Sequence, residues 1–155
     1  MSEFKYEARE FNQNSYDNND GYAKQKFIDF IVSRGHKVLS SHENYEHDII
    51  TEKDGVTYYF ELEVKINYPF THKNTYKFNT VSFLGRKKRL HIKQGFYYII
   101  ICVETEWAVC CDSEQIFLDD YIEDLTIDTH DRNGKDQMYR VPRENCLFFN
   151  INYRG

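Results

Sequence analysis

The sequence predicts an α/β fold in which a mixed β-sheet is flanked by helices. A stretch with helical spacing lies near the N-terminus, two β-prone runs joined by a turn signal follow it, and a continuous apolar run lies further along the chain. With 155 residues, 41% of them hydrophobic, the chain has the length of one domain and enough apolar side chains for a core.

The first predicted element is a helix from about Gly21 to Arg34. Apolar residues recur there at helical spacing, and Gly35 is a natural C-terminal stop. The preceding stretch is polar, rich in Asn and without periodicity. We therefore expect a flexible arm over residues 1–20 and a single domain over residues 21–155.

Three strands are expected next, over residues 36–41, 47–53 and 56–65. Between the last two lies Asp54-Gly55, the kind of pair that favours a tight hairpin turn. Residues equidistant from such a turn become neighbours, so Asp48 is expected opposite Glu61.

A second helix, with a basic face, is predicted over Thr80 to Lys93. Phe96 to Val103 is apolar on both alternating faces and predicts a central strand that is covered on both sides. This order gives an αβββαβ core with an added C-terminal β-rich segment. The remaining expected elements are a strand over 107–112, a short helix over 113–121, a hairpin at Asn133-Gly134 and a strand over 146–151.

The charges are unevenly distributed. The segment Val64 to Val103, called here the acid-free segment, holds eight of the 20 basic residues and none of the 25 acidic ones, so it carries +8 and the remainder −13. A basic, acid-free span is typical of a surface that neutralises phosphates, although a solvated helix face is the alternative.

Composition also bears on location and redox state. No apolar run approaches the roughly 20 residues of a membrane span, and the N-terminus lacks a signal-peptide core. We expect a cytoplasmic protein, in the host cytoplasm if the chain is phage-encoded, as its Asn-, Lys- and Ile-rich composition hints. The cysteines form no CxxC pair, so reduced thiols are expected at Cys102, Cys110, Cys111 and Cys146.

A cluster of charges marks the candidate site. Strand alternation places Glu61, Glu63 and Lys65 on one face, and the hairpin brings Asp48 close to Glu63. Two carboxylates and the Val64 carbonyl form an oxygen-only donor set, which suits Mg²⁺ or Mn²⁺ better than zinc.

These residues resemble the PD-(D/E)XK nuclease superfamily. The resemblance covers roughly Gly21 to Val109 and rests on Asp48, fifteen positions before Glu63, and on Glu63-Val64-Lys65. It implies a restriction-endonuclease-like or Holliday-junction-resolvase-like core. It also implies a metal-dependent DNA endonuclease in which Asp48, Glu63 and Val64 hold Mg²⁺ or Mn²⁺ and Lys65 acts in catalysis.

Three positions depart from the superfamily's pattern. His47 stands where the Pro of the motif would be, and it is expected on the strand face opposite to Asp48. Gln25 occupies a helix position that is often Glu in resolvase-like members; it is either a catalytic amide that orients water or a polar helix edge. Glu61 is either an additional ligand or an exposed charge.

The resemblance further implies that Arg86, Lys87 and Lys88 contact the DNA backbone, and the acid-free segment adds Lys73 and Lys77 as candidates. Aromatic residues in the acid-free segment either stack on unpaired bases or pack in the core: Tyr68, Phe70, Tyr76 and Phe78. Two alternatives to an enzyme stay open, a nucleic-acid-binding protein that has lost cleavage and a protein with a structural or assembly role. A homodimer is a further option.

Overall fold

The computed structural model describes residues 13–41, 47–66, 69–128 and 133–152. The helices in these ranges are α1 (Gln13–Ser33), α2 (Lys88–Lys93) and α3 (Ser113–Ile116). The strands are β1 (Lys37–Ser40), β2 (Ile49–Lys53), β3 (Val56–Lys65), β4 (Thr80–Leu84), β5 (Tyr97–Cys102), β6 (Trp107–Asp112), β7 (Ile122–Asp128), β8 (Asn133–Pro142) and β9 (Leu147–Asn150).

The strands form two sheets. The larger sheet has the order β1-β2-β3-β5-β6-β9, and the smaller one has the order β4-β8-β7. In the larger sheet β3 and β5 are parallel, whereas the other neighbours are antiparallel. The predicted α/β class with a mixed sheet is therefore confirmed.

Each face of the larger sheet has its own hydrophobic core. On one face α1 buries Phe27 and Ile31 against Phe60 and Ile99 of the sheet. On the other face the smaller sheet, through residues such as Phe83 and Tyr139, packs together with α3. Helices were predicted to flank the sheet, with a β-rich segment added at the C-terminus, but the second face of the sheet is covered mainly by β-structure.

The predicted helix over Thr80 to Lys93 was wrong in its first half. Residues Thr80–Leu84 form β4, and only Lys88–Lys93 are α-helical. Val81 and Phe83 alternate with less buried neighbours, which is strand periodicity, and they face the core. A run of basic residues after Gly85 hid this short alternation.

Two other predictions differ in their boundaries. Helix α1 begins at Gln13 rather than Gly21, so it includes the last eight residues of the predicted arm. Asn and Asp favour helices weakly, which is why the sequence did not indicate the extension. The predicted turn at Asn133-Gly134 instead opens strand β8, because Asp128 pairs with Asn133 and Ile127 with Gly134. Residues 1–12 lie outside the described residues.

The Asp54-Gly55 turn forms as predicted. Both residues have positive φ, 54° and 82°, which matches the tight turns that join antiparallel strands. Lys53 pairs with Val56, and the ladder runs from there to Ile49 opposite Phe60. The expected register is therefore confirmed.

None of the helices in the described part of the chain has the length and apolar composition that crossing a bilayer requires. The four cysteines are free thiols, as predicted, and Cys102, Cys111 and Cys146 are buried.

Candidate metal and nucleic-acid site

Asp48 lies where β2 and β3 separate. The ladder between these strands ends at Ile49 and Phe60. Beyond it, the Asp48 backbone N–H donates to Glu61 Oε2 (3.2 Å), and Asp48 Oδ2 accepts from the Leu62 backbone N–H (2.9 Å). The Asp48 carboxylate thus binds the edge of β3, and the hairpin register fixes its position.

Glu63 and Lys65 project from the face of β3 that carries Glu61. Tyr98, on the parallel neighbour β5, donates its hydroxyl hydrogen to Glu63 Oε1 (2.7 Å). The Lys65 ammonium lies 3.1 Å from Glu63 Oε2. The Tyr98 hydroxyl oxygen also accepts from the Leu84 backbone N–H at 3.3 Å, so Tyr98 links Glu63 to β4.

The predicted metal ligands line a single cavity of about 290 Å³. Asp48, Glu63 and Val64 line it, whereas Lys65 is not among its lining residues and reaches the site through its contact with Glu63. The remaining lining residues come from α1, β3, β4 and the 3-10 turn after β4: Asp20, Lys24, Leu62, Leu84, Arg86 and Lys87.

Glu61 forms a buried ion-pair network beneath this cavity. It is 3% exposed; its Oε1 accepts from Lys87 Nζ (2.7 Å), and its Oε2 lies 3.3 Å from His47 Nδ1. The exposed-charge alternative for Glu61 was therefore wrong. His47 was also misplaced by the sequence: it lies on the Glu61 face and contacts Tyr59, because β2 begins only at Ile49 and strand alternation does not extend to His47.

The two neighbouring carboxyl groups have opposite pKa shifts. Burial raises the pKa of Asp48, and the negative charge of Glu61 raises it further, against the opposing effect of the Leu62 N–H. Burial would also raise the pKa of Glu61, but hydrogen bonds from His47 and Lys87 outweigh it, so the pKa of Glu61 is lowered. Glu61 is thus neutralised within the protein, whereas Asp48 lacks full compensation for its charge.

The donor set fits a hard divalent cation. Asp48 and Glu63 supply carboxylate oxygens on one cavity, and the raised pKa of Asp48 indicates a place where an added positive charge would be stabilised. Among the residues whose side chains are described, no group of three or more His, Cys, Asp or Glu is placed to hold a metal ion. A metal here would use two carboxylates, the Val64 carbonyl and water.

The structure does not bring Gln25 to the cavity. Gln25 is exposed, and its Nε2 donates to Asp29 Oδ1 at 2.9 Å. The helix surface that borders the cavity carries Asp20 and Lys24, which are four residues apart and therefore share a face of α1. Gln25 follows Lys24 by one residue and points about 100° away.

The predicted phosphate-binding residues are divided. Arg86 and Lys87 border the cavity, and Lys88 follows them at the start of α2. Lys73 lies in a separate 3-10 turn, and Lys77 is stacked 5.5 Å from the ring centroid of Phe78. The Lys87 ammonium already neutralises Glu61, so its charge is only partly available to a ligand.

Sequence reasoning missed Asp20, Lys24 and Tyr98. The spacing of Asp20 and Lys24 was a usable signal, because residues at i and i+4 lie on one helix face. Tyr98 gave no such signal: it lies in an apolar run, and only the parallel pairing of Glu61 with Tyr98 and Glu63 with Ile100 brings its hydroxyl near Glu63.

No protein-family model matches the chain, and neither a curated protein nor a solved structure matches it.

Proposed function

We propose that the protein is a metal-dependent endonuclease of PD-(D/E)XK type that hydrolyses phosphodiester bonds in DNA. The observation that carries the proposal is the shared cavity of Asp48 and Glu63, with the Lys65 ammonium 3.1 Å from Glu63. Along the chain, α1, β1 to β3, α2 and β5 follow one another, with β4 inserted before α2. This order supports the proposal.

Asp48, Glu63 and the Val64 carbonyl would hold Mg²⁺ or Mn²⁺. Bound there, the metal supplies Lewis-acid polarisation of a phosphate and activation of water. The chain's own residues keep the two carboxylates in place. The Leu62 N–H holds Asp48, and the Tyr98 hydroxyl holds Glu63 at 2.7 Å.

Lys65 supplies positive charge at the reacting phosphate. Its side chain is about one-third exposed, at 35%, so it is accessible to substrate while it contacts Glu63. An ammonium beside a phosphate stabilises the negative charge that grows in the transition state more than the charge of the ground state. Lys65 therefore contributes mainly to cleavage and little to binding.

Arg86 gives the site its link to the DNA backbone. It is exposed, lies on the cavity rim and belongs to the acid-free segment. Positive side chains beside a metal site hold the phosphates that flank the reacting one, and they do so for all sequences alike.

A second candidate is a nuclease-fold protein that binds nucleic acid without cleaving it. Gln25 occupies a helix position that is often Glu in resolvase-like members, and it points away from the cavity. Among the described residues, no group of three potential metal-binding side chains is present. The proposed metal site therefore has two acidic ligands, Asp48 and Glu63, and the helix position of Gln25 adds no further one.

Plasmid nicking separates the two candidates. We expect wild-type protein to nick supercoiled, single-stranded or branched DNA in millimolar Mg²⁺ or Mn²⁺ and not in EDTA. Lys65→Ala should lose cleavage and retain DNA binding, whereas Lys37→Ala, at an exposed lysine on β1, should cleave as wild type. DNA binding by the wild type without cleavage of any of these substrates would favour the second candidate.

A further inference from the structure

A second cavity adjoins the proposed catalytic site. Its volume is about 500 Å³, within the range of small-molecule pockets. Strand β3 passes from one cavity to the other, because Glu63 and Val64 line the first and Lys65 and Ile66 line the second. Strand β4 does the same, with Leu84 at the first cavity and Ser82 at the second. The two cavities are thus about 3 to 7 Å apart along each strand.

Aromatic side chains form one wall of the second cavity. Phe70 and Tyr76 are buried and pack edge to face, with ring centroids 5.8 Å apart, so they belong to the core. Phe78 is 44% exposed, although its ring contacts Tyr76 at 6.2 Å. The Lys77 ammonium lies 5.5 Å from the centroid of this ring, so a ligand ring that stacks on the exposed part of Phe78 shares it with Lys77.

The polar lining carries positive charge. Lys65 and Arg140 are the cations among the described residues that line the cavity, and none of those residues is acidic. Arg140 is held in place because its guanidinium pairs with Glu123 and also donates to Ser82 Oγ at 3.2 Å. Its planar group is therefore positioned in advance, and its remaining N–H groups can donate to a ligand. Glu123 takes up part of the Arg140 charge, as Glu63 does for Lys65, so both charges are only partly available.

We propose that this second cavity receives an unpaired nucleobase of the strand whose phosphate lies at the first cavity. A flat ring joined to an anion is the ligand that matches the exposed Phe78 ring, the two cations and the absence of acids among the described lining residues. A base within a continuous duplex is stacked on its neighbours and cannot enter a pocket unless it turns out of the helix. The substrate class is therefore nucleic acid with single-stranded or unpaired nucleotides. This inference rests on the proposed function of the first cavity.

Fluorescence of 2-aminopurine tests the pocket without any cleavage. In EDTA, a single-stranded oligonucleotide that contains 2-aminopurine should be quenched when wild-type protein binds it, because the base stacks on Phe78. Phe78→Ala should lose most of this quenching and bind the oligonucleotide about tenfold more weakly, within the range for an aromatic residue that stacks on a base. Phe78→Trp should restore both.

Leu39→Ala is the matched control, because Leu39 is also a large exposed side chain, at 52%, but lies on the edge strand β1. It should bind and quench as wild type does. A duplex with the same 2-aminopurine fully paired should be quenched less than the single strand. Equal quenching and equal affinity in wild type and Phe78→Ala, with both melting at the same temperature, would overturn the inference.

The plasmid assay keeps this inference distinct from the proposed function. If quenching depends on Phe78 but no metal-dependent cleavage occurs, the base pocket stands and the nuclease proposal fails. If the protein cleaves DNA while quenching is independent of Phe78, the nuclease stands and the base pocket fails.

Discussion

The negative charge of the Asp48 carboxylate lowers the stability of the folded protein. Its folded pKa is raised by burial and by Glu61, so the stability it contributes is complete below the unfolded pKa and is lost as the pH rises through the folded pKa. Once its carboxyl is ionised, Asp48 therefore destabilises the metal-free protein. Glu61 has the opposite effect, because its lowered pKa contributes stability that is lost as the pH falls through the folded pKa.

We expect Asp48→Asn to melt a few degrees above the wild type in EDTA at neutral pH, since the amide can still accept the Leu62 N–H without a charge. The difference should vanish at acidic pH, where the wild-type carboxyl is protonated. Millimolar Mg²⁺ or Mn²⁺ should raise the melting temperature of the wild type and leave the variant unchanged. A variant that is less stable than the wild type in EDTA at neutral pH would contradict this account.

Tyr98 acts on Glu63 from outside the cavity. We expect Tyr98→Phe to bind Mn²⁺ about tenfold more weakly by calorimetry, since residues that orient a metal ligand typically contribute about 10- to 100-fold in affinity. Tyr97→Phe is the matched control, because it removes a hydroxyl from the opposite face of the same strand. Equal Mn²⁺ affinities for the two variants would show that the Tyr98 hydroxyl does not position Glu63.

At the scale of the elements, Gly85 sets the position of the basic turn. A Cβ atom there would lie 2.6 Å from the Gln137 carbonyl oxygen, so β4 and β8 approach closely just before Arg86 and Lys87. Arg86 and Lys87, which follow Gly85 in this turn, line the cavity. Any larger side chain must move either the turn or the backbone of β8.

We therefore expect Gly85→Ala to lower the free energy of unfolding by about 1–3 kcal/mol, the usual cost of overpacking, and to weaken DNA binding as the turn shifts. Gly21→Ala is the control of opposite sign. No atom lies within 4 Å of its new Cβ, and alanine should stabilise helix α1 by about 0.5–1 kcal/mol. Chemical denaturation measures both. If Gly85→Ala left the free energy of unfolding unchanged, the backbone of β8 would move at little cost to make room for the added Cβ atom.

Local signals predicted some elements well and others poorly. The Asp54-Gly55 pair determined the β2–β3 register, and hence the contact of Asp48 with β3, because a tight turn leaves no freedom in the pairing. Strand β4 was missed because five residues with strand alternation adjoin a basic helix. Its partner β8 lies far along the chain, and such pairing has no local signature.

The lack of a local signature for long-range contacts also explains which residues of the candidate site could be predicted from the sequence and which could not. Asp48, Glu63 and Lys65 could be found because one hairpin and one strand carry them. The contributions of Tyr98, Asp20 and Lys24 depend on how β5 and α1 pack against β3, which periodicity does not specify. Gln25 was misassigned for this reason, since the sequence identified the helix but not the face that meets the cavity.

At the scale of the whole molecule, the sheet topology explains why the basic, acid-free segment lies beside the cavity. Strands β3 and β5 are parallel neighbours, so the chain must cross from the end of β3 back to the start of β5. Most of the acid-free segment forms this crossover, which places Arg86 and Lys87 beside the cavity.

We expect Arg86→Ala/Lys88→Ala to weaken DNA binding for all sequences and to reduce the slope of log affinity against log salt by about 1.8, or about 0.9 for each phosphate that is no longer neutralised. Lys87 is left unchanged because it stabilises buried Glu61. Lys37→Ala/Lys53→Ala, at the far hairpin edge of the sheet, is a charge-matched control and should keep the wild-type slope. Filter binding across a salt titration measures both, and equal slopes would assign the phosphate-binding role to another surface.

We expect the parallel pairing of β3 with β5 also to determine the order in which the site assembles during folding. The β2–β3 hairpin is a local structure of the kind that closes in about 1–10 μs, and it brings Asp48 to β3 early. Strand β5 can join only after the crossover is ordered, and such long-range pairing is slow. Glu63 therefore gains its Tyr98 partner late. A cation held by both carboxylates would stabilise the native state more than the folding transition state, so we expect it to slow unfolding and to leave the folding rate nearly unchanged.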